Sequence, residues 1–185
     1  MIETKRLILR PFMEADAEQV YHYVNAQTIH CFSDMRFESF EEAKKEVLRR
    51  QEDDTEFYVA ICLKDSGKII GEIFSHPEQM APKDSKPDTH SPCWMLDPEY
   101  QGMGYAYEAT YAYYDYLFVE KNVRRIYTYT EDYNISCQKL CEKLGMRKEG
   151  CFKQYVSFVN DENGNPIYEN TMQYAILRDE WFEQK

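Results

Sequence analysis

Gly102 and Gly104 flank a single residue in Asp97-Pro98-Glu99-Tyr100-Gln101-Gly102-Met103-Gly104-Tyr105, just ahead of an alanine- and tyrosine-rich stretch with helical spacing. Two glycines at that point leave backbone N–H groups unshielded at a helix start, which receives an anion as readily as it makes a tight connection. The turn is not a Walker A loop, because no Gly-Lys-Ser or Gly-Lys-Thr follows, and it lacks the third glycine of a dinucleotide fingerprint. Downstream, residues 121–148 carry seven basic side chains (Lys121, Arg124, Arg125, Lys139, Lys143, Arg147, Lys148) against three acidic ones (Glu131, Asp132, Glu142). That local excess either solvates a helix face or holds a polyanionic small ligand.

The chain as a whole is acidic, with a formal charge of −11 over 185 residues, which argues against nucleic-acid backbones and anionic membranes and favours cationic partners. Its six cysteines include no C-x-x-C pair and read as reduced thiols; Cys137 and Cys141, four apart, lack two of the ligands a zinc site needs, so no metal is expected. No apolar run approaches the roughly 20 residues needed to cross a bilayer. The start, MIETKRLILRPF, has no signal-peptide core, so the expectation is a soluble, cytoplasmic protein.

Elements that would position the turn follow from periodicity. Leu7 to Phe12 reads as a strand stopped by Pro11, and Asp16 to Asn25 as a helix with Ala17, Val20, Tyr21 and Val24 inward. Ser39 caps a second helix to Gln51, with Phe40, Ala43 and Val47 as its buried stripe. Phe57 to Leu63 and Lys68 to Phe74 form an antiparallel hairpin across Lys64-Asp65-Ser66-Gly67. Residues 75–92, with four prolines, read as a long loop without regular elements, mobile or functional, and able to act as a lid. Cys93 to Leu96 is a short buried strand, and Tyr105 to Lys121 a helix with Ala106, Ala109, Thr110, Tyr113 and Leu117 on one face. Arg125 to Thr130 is a strand, Ser136 to Leu144 a helix ended by Gly145, and Cys151 to Val159 and Pro166 to Leu177 a closing hairpin. The sum is one domain over residues 1–185: an α/β (α+β) fold with a mixed, mostly antiparallel central sheet flanked by helices.

Gln101-Gly102-Met103-Gly104-Tyr105-Ala106 resembles the Q/R-x-x-G-x-G/A motif of the GCN5-related N-acetyltransferases. The segments TKRLILRPF, MLDPEYQGMGYAYEA, NISCQKLCEKLGM and YAILRDEW, in this order, look like the branch that acetylates ribosomal-protein N-termini. The resemblance implies acetyl-CoA as cosubstrate. Its pyrophosphate would lie on the turn, at Gln101, Gly102, Met103, Gly104, Tyr105 and Ala106; its pantetheine arm would lie along Met95 and Leu96 and beside Asn134. As an ordinary helix cap, Asn134 fits the sequence equally well. The basic excess would suit the 3′-phosphate of the same ligand.

Acyl transfer to an amine requires a neutral amine, donors for the oxyanion and an acid for the departing thiolate. A lysine side chain, with pKa about 10.4, is about one part in a thousand neutral near pH 7.4, whereas an α-amine near 8 is about one fifth neutral, so N-terminal amines demand less of a base. Relatives often carry a glutamate where this chain has Ser91, which leaves Glu72 as first candidate for base, directly or through water: it shares parity with Ile70 and Phe74, on an apolar face that would raise its pKa, the alternative being a strand-edge glutamate that faces solvent or is salt-bridged. For the acid, the family's serine-like position falls on Ser136 and Cys137, and Cys141 stands where many relatives have tyrosine; Cys137 is favoured. The same helix face accommodates both cysteines as plain packing. His76, His90, His22 and His30 could line an acceptor groove or simply face solvent, and Tyr107 replaces a smaller residue beside the turn. The reading is direct acetyl transfer from acetyl-CoA to a primary amine, either a peptide N-terminus or a small amine. The alternative is a non-catalytic acyl-CoA-binding module. Both a monomer and a homodimer are allowed.

Overall fold

The computed structural model describes residues 1–53, 58–80 and 82–185. Along the chain run β1 (Ile2–Glu3), β2 (Leu7–Arg10), α1 (Ala17–Asn25), α2 (Phe40–Gln51), β3 (Tyr58–Leu63), β4 (Ile69–Phe74), β5 (Pro77–Glu78), β6 (Thr89–His90) and β7 (Cys93–Leu96). Then follow α3 (Tyr105–Val119), β8 (Arg125–Glu131), α4 (Ile135–Lys143), β9 (Arg147–Asn160), β10 (Pro166–Leu177) and α5 (Arg178–Glu183). Among the described residues the strands form two five-stranded sheets, β1-β2-β3-β4-β7 and β5-β6-β8-β10-β9, in which only the β6–β8 pair is parallel. The mixed, mostly antiparallel architecture expected from the sequence is the one observed.

The first sheet is covered on both faces. Ala60, Cys62, Ile69 and Met95 pack against Ala17, Val20, Tyr23 and Val24 of α1 and Val47 of α2. On the opposite face, Leu7, Leu9, Ile61, Ile70 and Ile73 meet Tyr113, Tyr114, Leu117 and Phe118 of α3, with Ile126, Ile176 and Trp181 from the second half of the chain. Each buried Val, Leu, Ile, Phe or Met side chain here contributes about 1.5–3 kcal/mol by leaving water. The closing helix α5, absent from the periodicity reading, serves this core: Trp181 is fully buried, with its ring 4.7 Å from Tyr111 and 5.6 Å from Phe118.

Local chemistry explains most boundaries. Ser39 Oγ accepts from Glu42 N at 3.2 Å and starts α2, whose acidic first turn and basic last turn both suit the helix dipole. Several expectations need correction. Tyr23, not Tyr21, is the inward tyrosine of α1, and Phe40, at the exposed first position of α2, meets Tyr21 edge-on instead of the core. On α3, Ala106 is only half-buried while Tyr114 and Phe118 join the core, and the helix stops at Val119. The segment 75–92 contains β5 and β6: Pro77 opens a sheet-edge strand, where its missing N–H costs nothing. Phe57, placed at the start of the first hairpin strand, lies outside the described residues.

One irregularity redirects a candidate residue. Between β3 and β4 the register slips, pairing Ile61 with Gly71 but Cys62 with Ile69, so Ile70 bulges. Beyond the bulge, Glu72 pairs with Ala60 and Phe74 with Tyr58, on the α1–α2 side, whereas Ile70 faces the opposite core. The shared parity of Glu72 with Ile70 therefore does not hold, although that with Phe74 does. Gly71 also lets β7 approach, since a Cβ there would meet Met95 O at 2.3 Å.

Candidate active site

β7 is the last strand of the first sheet and, among the described residues, has no ladder partner on its outer edge. The chain crosses from it through the glycine turn into α3, then enters β8 in the second sheet. A cleft of about 420 Å³ opens there, lined by Cys93 to Leu96 on one side and Thr128 to Glu131 on the other. Its ends are formed by the glycine turn at Gln101, Gly102, Gly104 and Ala106, and by the start of α4 at Asn134, Ser136 and Cys137.

The turn is built for backbone exposure. Gly104 sits at φ 81° as the residue before α3 and Gly102 at φ 74°, a left-handed region that costs any other L-residue about 1–2 kcal/mol. A Cβ at Gly102 would touch nothing within 4 Å, so the space above the turn is open. The turn is held from behind by Arg6, a residue the motif does not reveal. Arg6 Nη1 donates to Met103 O at 3.0 Å, its guanidinium lies 4.2 Å from the Tyr105 ring centroid, and its Nε donates to Glu108 Oε2 at 2.6 Å. Burial raises the Glu108 pKa, but hydrogen bonds from Thr4 and Arg6 outweigh it and hold the carboxyl below its ordinary value. Met103 and Tyr105 thus face this clamp and do not line the cleft.

Free helix-start amides, an open strand edge and a long apolar-walled cleft suit a ligand with a phosphate end and an amide-bearing arm, which is the form of acetyl-CoA. Lys139 and Lys143 line the cleft, and the Lys143 ammonium sits 4.2 Å from the Tyr107 ring centroid. The rest of the basic excess is largely spent on ion pairs: Arg124 with Asp88, Arg125 with Glu149, Arg147 with Glu149 and Glu180. Asn134 caps α4, its Oδ1 accepting from Cys137 N at 3.1 Å.

Cys137 lines the cleft, while Cys141, one turn on, is fully buried. A hydrogen bond from Cys141, joined by one from Thr130, lowers the Cys137 pKa; the same contact and burial push Cys141 far up. Ser136 lines the cleft from an exposed position. Glu72 does not line it. Glu72 is wholly buried in an ion pair with Arg50 and accepts from Tyr23 Oη at 2.6 Å. Tyr23 O in turn accepts from Gln27 Nε2, which also donates to Leu96 O at 3.0 Å, so the Glu72 cluster braces the end of β7.

Of the histidines, His30 sits beside the cleft wall, hydrogen-bonded through Nδ1 to Glu169 Oε1, and its ring centroid lies 5.5 Å from that of Tyr133. His76 contacts Tyr58, His90 is buried against Ser75 Oγ at 2.9 Å, and His22 is exposed. Sequence reasoning counted Glu131 only as a charge, and missed Glu169, Cys31 and Cys93. Glu131 and the two thiols line or border the cleft, and burial raises the pKa of all three. Their only sequence signal is the position of Glu131 at the end of a strand; the rest is brought together by folding. Among the described residues, no group of three or more His, Cys, Asp or Glu side chains is placed to hold a metal ion, and no helix is long and apolar enough to cross a membrane.

Similarity to known proteins agrees with this geometry. An uncharacterized N-acetyltransferase of Bacillus subtilis, YnaD, is 33% identical over 180 residues, 97% of this chain and 98% of that protein. The crystal structure of a GNAT-family acetyltransferase from Bacillus anthracis superposes with a TM-score of 0.82 at 26% identity, covering 96% of this chain and 98% of the other. At 24% identity, ribosomal-protein-S5-alanine acetyltransferase from Vibrio fischeri shares the fold, with a TM-score of 0.73 and 97% of each chain covered. The acetyltransferase (GNAT) domain matches residues 6–147, from the Arg6 clamp through the glycine turn and α4 to the first residue of β9, and the chain belongs to that family.

Proposed function

We propose that this protein, working as one domain over residues 1–185, transfers the acetyl group of acetyl-CoA directly to a primary amine. The carrying observation is that a single cleft is lined at once by the glycine turn, β7 from Cys93 to Leu96 and Cys137. The turn, from Gln101 to Ala106, cradles the pyrophosphate; the β7 edge at Met95 and Leu96 and the cap at Asn134 guide the pantetheine arm. The Leu96 amide region is the oxyanion donor. The bound thioester supplies the electrophilic carbonyl. As the amine nitrogen bonds to that carbon and the C–S bond breaks, Cys137 donates its proton to the departing thiolate, a transfer between groups of similar basicity.

Ser136 is placed to hydrogen-bond the arm, and Cys141 supports Cys137 from below. Glu72 takes a positioning role here: it lies outside the cleft, buried against Arg50, and its link through Tyr23 and Gln27 to Leu96 braces the strand end that holds the thioester. The acceptors named for structural neighbours, a ribosomal protein and spermidine, both carry primary amines.

The test is thermal unfolding of the purified protein with and without acetyl-CoA, beside a Gly104→Asp variant whose carboxylate would repel a pyrophosphate. A saturable rise lost in the variant supports the reading. The absence of a shift at millimolar coenzyme overturns it, and a shift without acetylation of any amine points to a binding module.

A further inference from the structure

Along β8, side chains alternate between two faces: Thr128 and Thr130 turn toward α4, while Tyr127, Tyr129 and Glu131 turn the other way. Glu131 is 5% exposed and lines the cleft from that second face. Its cross-strand partner in β10 is Thr171, and two residues before Thr171 on the same strand lies Glu169, 8% exposed. Two carboxylates are thus brought to one buried spot, and each shifts the electrostatics of the residues between them.

What these carboxylates lack is a cation. Among the described residues neither is ion-paired to a lysine or arginine; Glu169 Oε1 meets His30 Nδ1, and Glu131 accepts from the Cys31 thiol. Glu169 Oε2 and Thr171 Oγ1 are buried with no hydrogen-bond partner. Buried acceptors in that number are costly unless a donor arrives, and an ammonium brings three. Beyond Glu131 the same face continues as an exposed aromatic wall: Tyr129 stands 6.2 Å from Phe152 and 6.3 Å from Tyr155 between ring centroids. Ring faces of this kind attract cations.

We propose that Glu131 and Glu169 form the acceptor-ammonium site, that the acceptor is a primary alkylammonium, and that Glu131 takes the proton the amine must lose before attack. The proposal rests on the acetyltransferase reading above. In the balanced step the Glu131 carboxylate takes one proton from the ammonium, the freed nitrogen lone pair forms the C–N bond, the C–S bond breaks as Cys137 gives its proton to the departing thiolate, and the second N–H proton, acidic once the nitrogen is acylated, passes to the Cys137 thiolate and restores its thiol. Glu131 from β8 and Cys137 from α4 line the same cleft, so base and acid are both within reach of a thioester held there. Burial, reinforced by Glu169, holds the Glu131 carboxyl above its ordinary value, which improves it as a base near neutrality. The groups facing it are Cys31 and His30 from the segment before α2, Glu169 from β10, Tyr133 after β8 and Cys137 from α4.

The experiment compares wild type, Glu131→Gln and Glu169→Gln with CoA bound, titrating spermidine and, separately, a short peptide with a free N-terminus, and then measures kcat/KM against pH with acetyl-CoA. Expected is saturable amine binding that is lost in Glu131→Gln, a fall in kcat/KM of about 10²–10⁴-fold, and disappearance of the acid limb of the pH profile, while the acetyl-CoA thermal shift stays as in wild type. The amine that binds identifies the acceptor source. If Glu131→Gln does not fold, Glu169→Gln carries the same test through the amine KM. Wild-type kcat/KM in Glu131→Gln, or no amine binding by a wild type that binds acetyl-CoA, overturns the site and leaves the coenzyme reading standing. Failure to bind acetyl-CoA removes that reading instead, while amine binding lost in Glu131→Gln still supports the site.

Discussion

Glu72 and Arg50 form an ion pair in which the side chains are 0% and 4% exposed, 22 residues apart in sequence, joining the centre of β4 to the last turn of α2. Breaking one side of such a pair strands a buried charge, whereas exchanging both partners for apolar groups is often nearly neutral. Arg50→Met is therefore expected to cost about 3–5 kcal/mol in urea unfolding. The double variant Arg50→Met with Glu72→Leu should recover most of it. Equal losses in the two variants would show that the pair is not what Arg50 contributes.

The glycine turn separates backbone strain from coenzyme binding. Gly67, at φ 72° in the β3–β4 turn, and Gly104, at φ 81°, face the same steric demand, but only Gly104 lines the cleft. Gly67→Asp and Gly104→Asp should lose comparable stability, about 1–2 kcal/mol, while only the second loses the acetyl-CoA thermal shift. A shift lost in both would assign the effect to unfolding.

Cys137 owes its lowered pKa first to the hydrogen bond from Cys141. Cys141→Ala should move the pH midpoint of Cys137 alkylation upward, followed by mass spectrometry of the peptide carrying it. Cys137→Ala should slow turnover by about 10²-fold without abolishing it, and Cys137→Ser should restore part of that loss. An acetylated Cys137 trapped during turnover of the wild type would refute direct transfer.

His90 provides a pH signature for the fold. Burial, with His76 adding repulsion, lowers its pKa from 6.5 to about 4. Above pH 6.5 the ring is neutral both folded and unfolded and contributes nothing. As pH falls from 6.5 toward 4 the unfolded chain binds a proton that the folded protein refuses, so stability declines across that window and levels off below it. The urea midpoint of wild type should fall more steeply from pH 6.5 to 4 than that of His90→Gln. Parallel curves would place the His90 titration at its ordinary value.

Elements whose cause is local were legible in the chain itself. Ser39 and Asn134 cap their helices, the Gly67 hairpin pairs antiparallel, and Gly102 and Gly104 stand at the start of α3, because capping, turn geometry and helical periodicity depend on residues only a few positions apart. Tertiary structure decided what depends on contacts between distant segments. A single bulged residue at Ile70 carried Glu72 out of the register that parity assigned it, and α5 exists as a helix seated on Trp181. Arg6 braces the turn from almost a hundred residues upstream, a distance at which no periodicity carries information. The same holds for Glu131, Glu169 and His30, which lie on separate elements and meet only because β8 and β10 pair in one register and the segment before α2 folds over their ends.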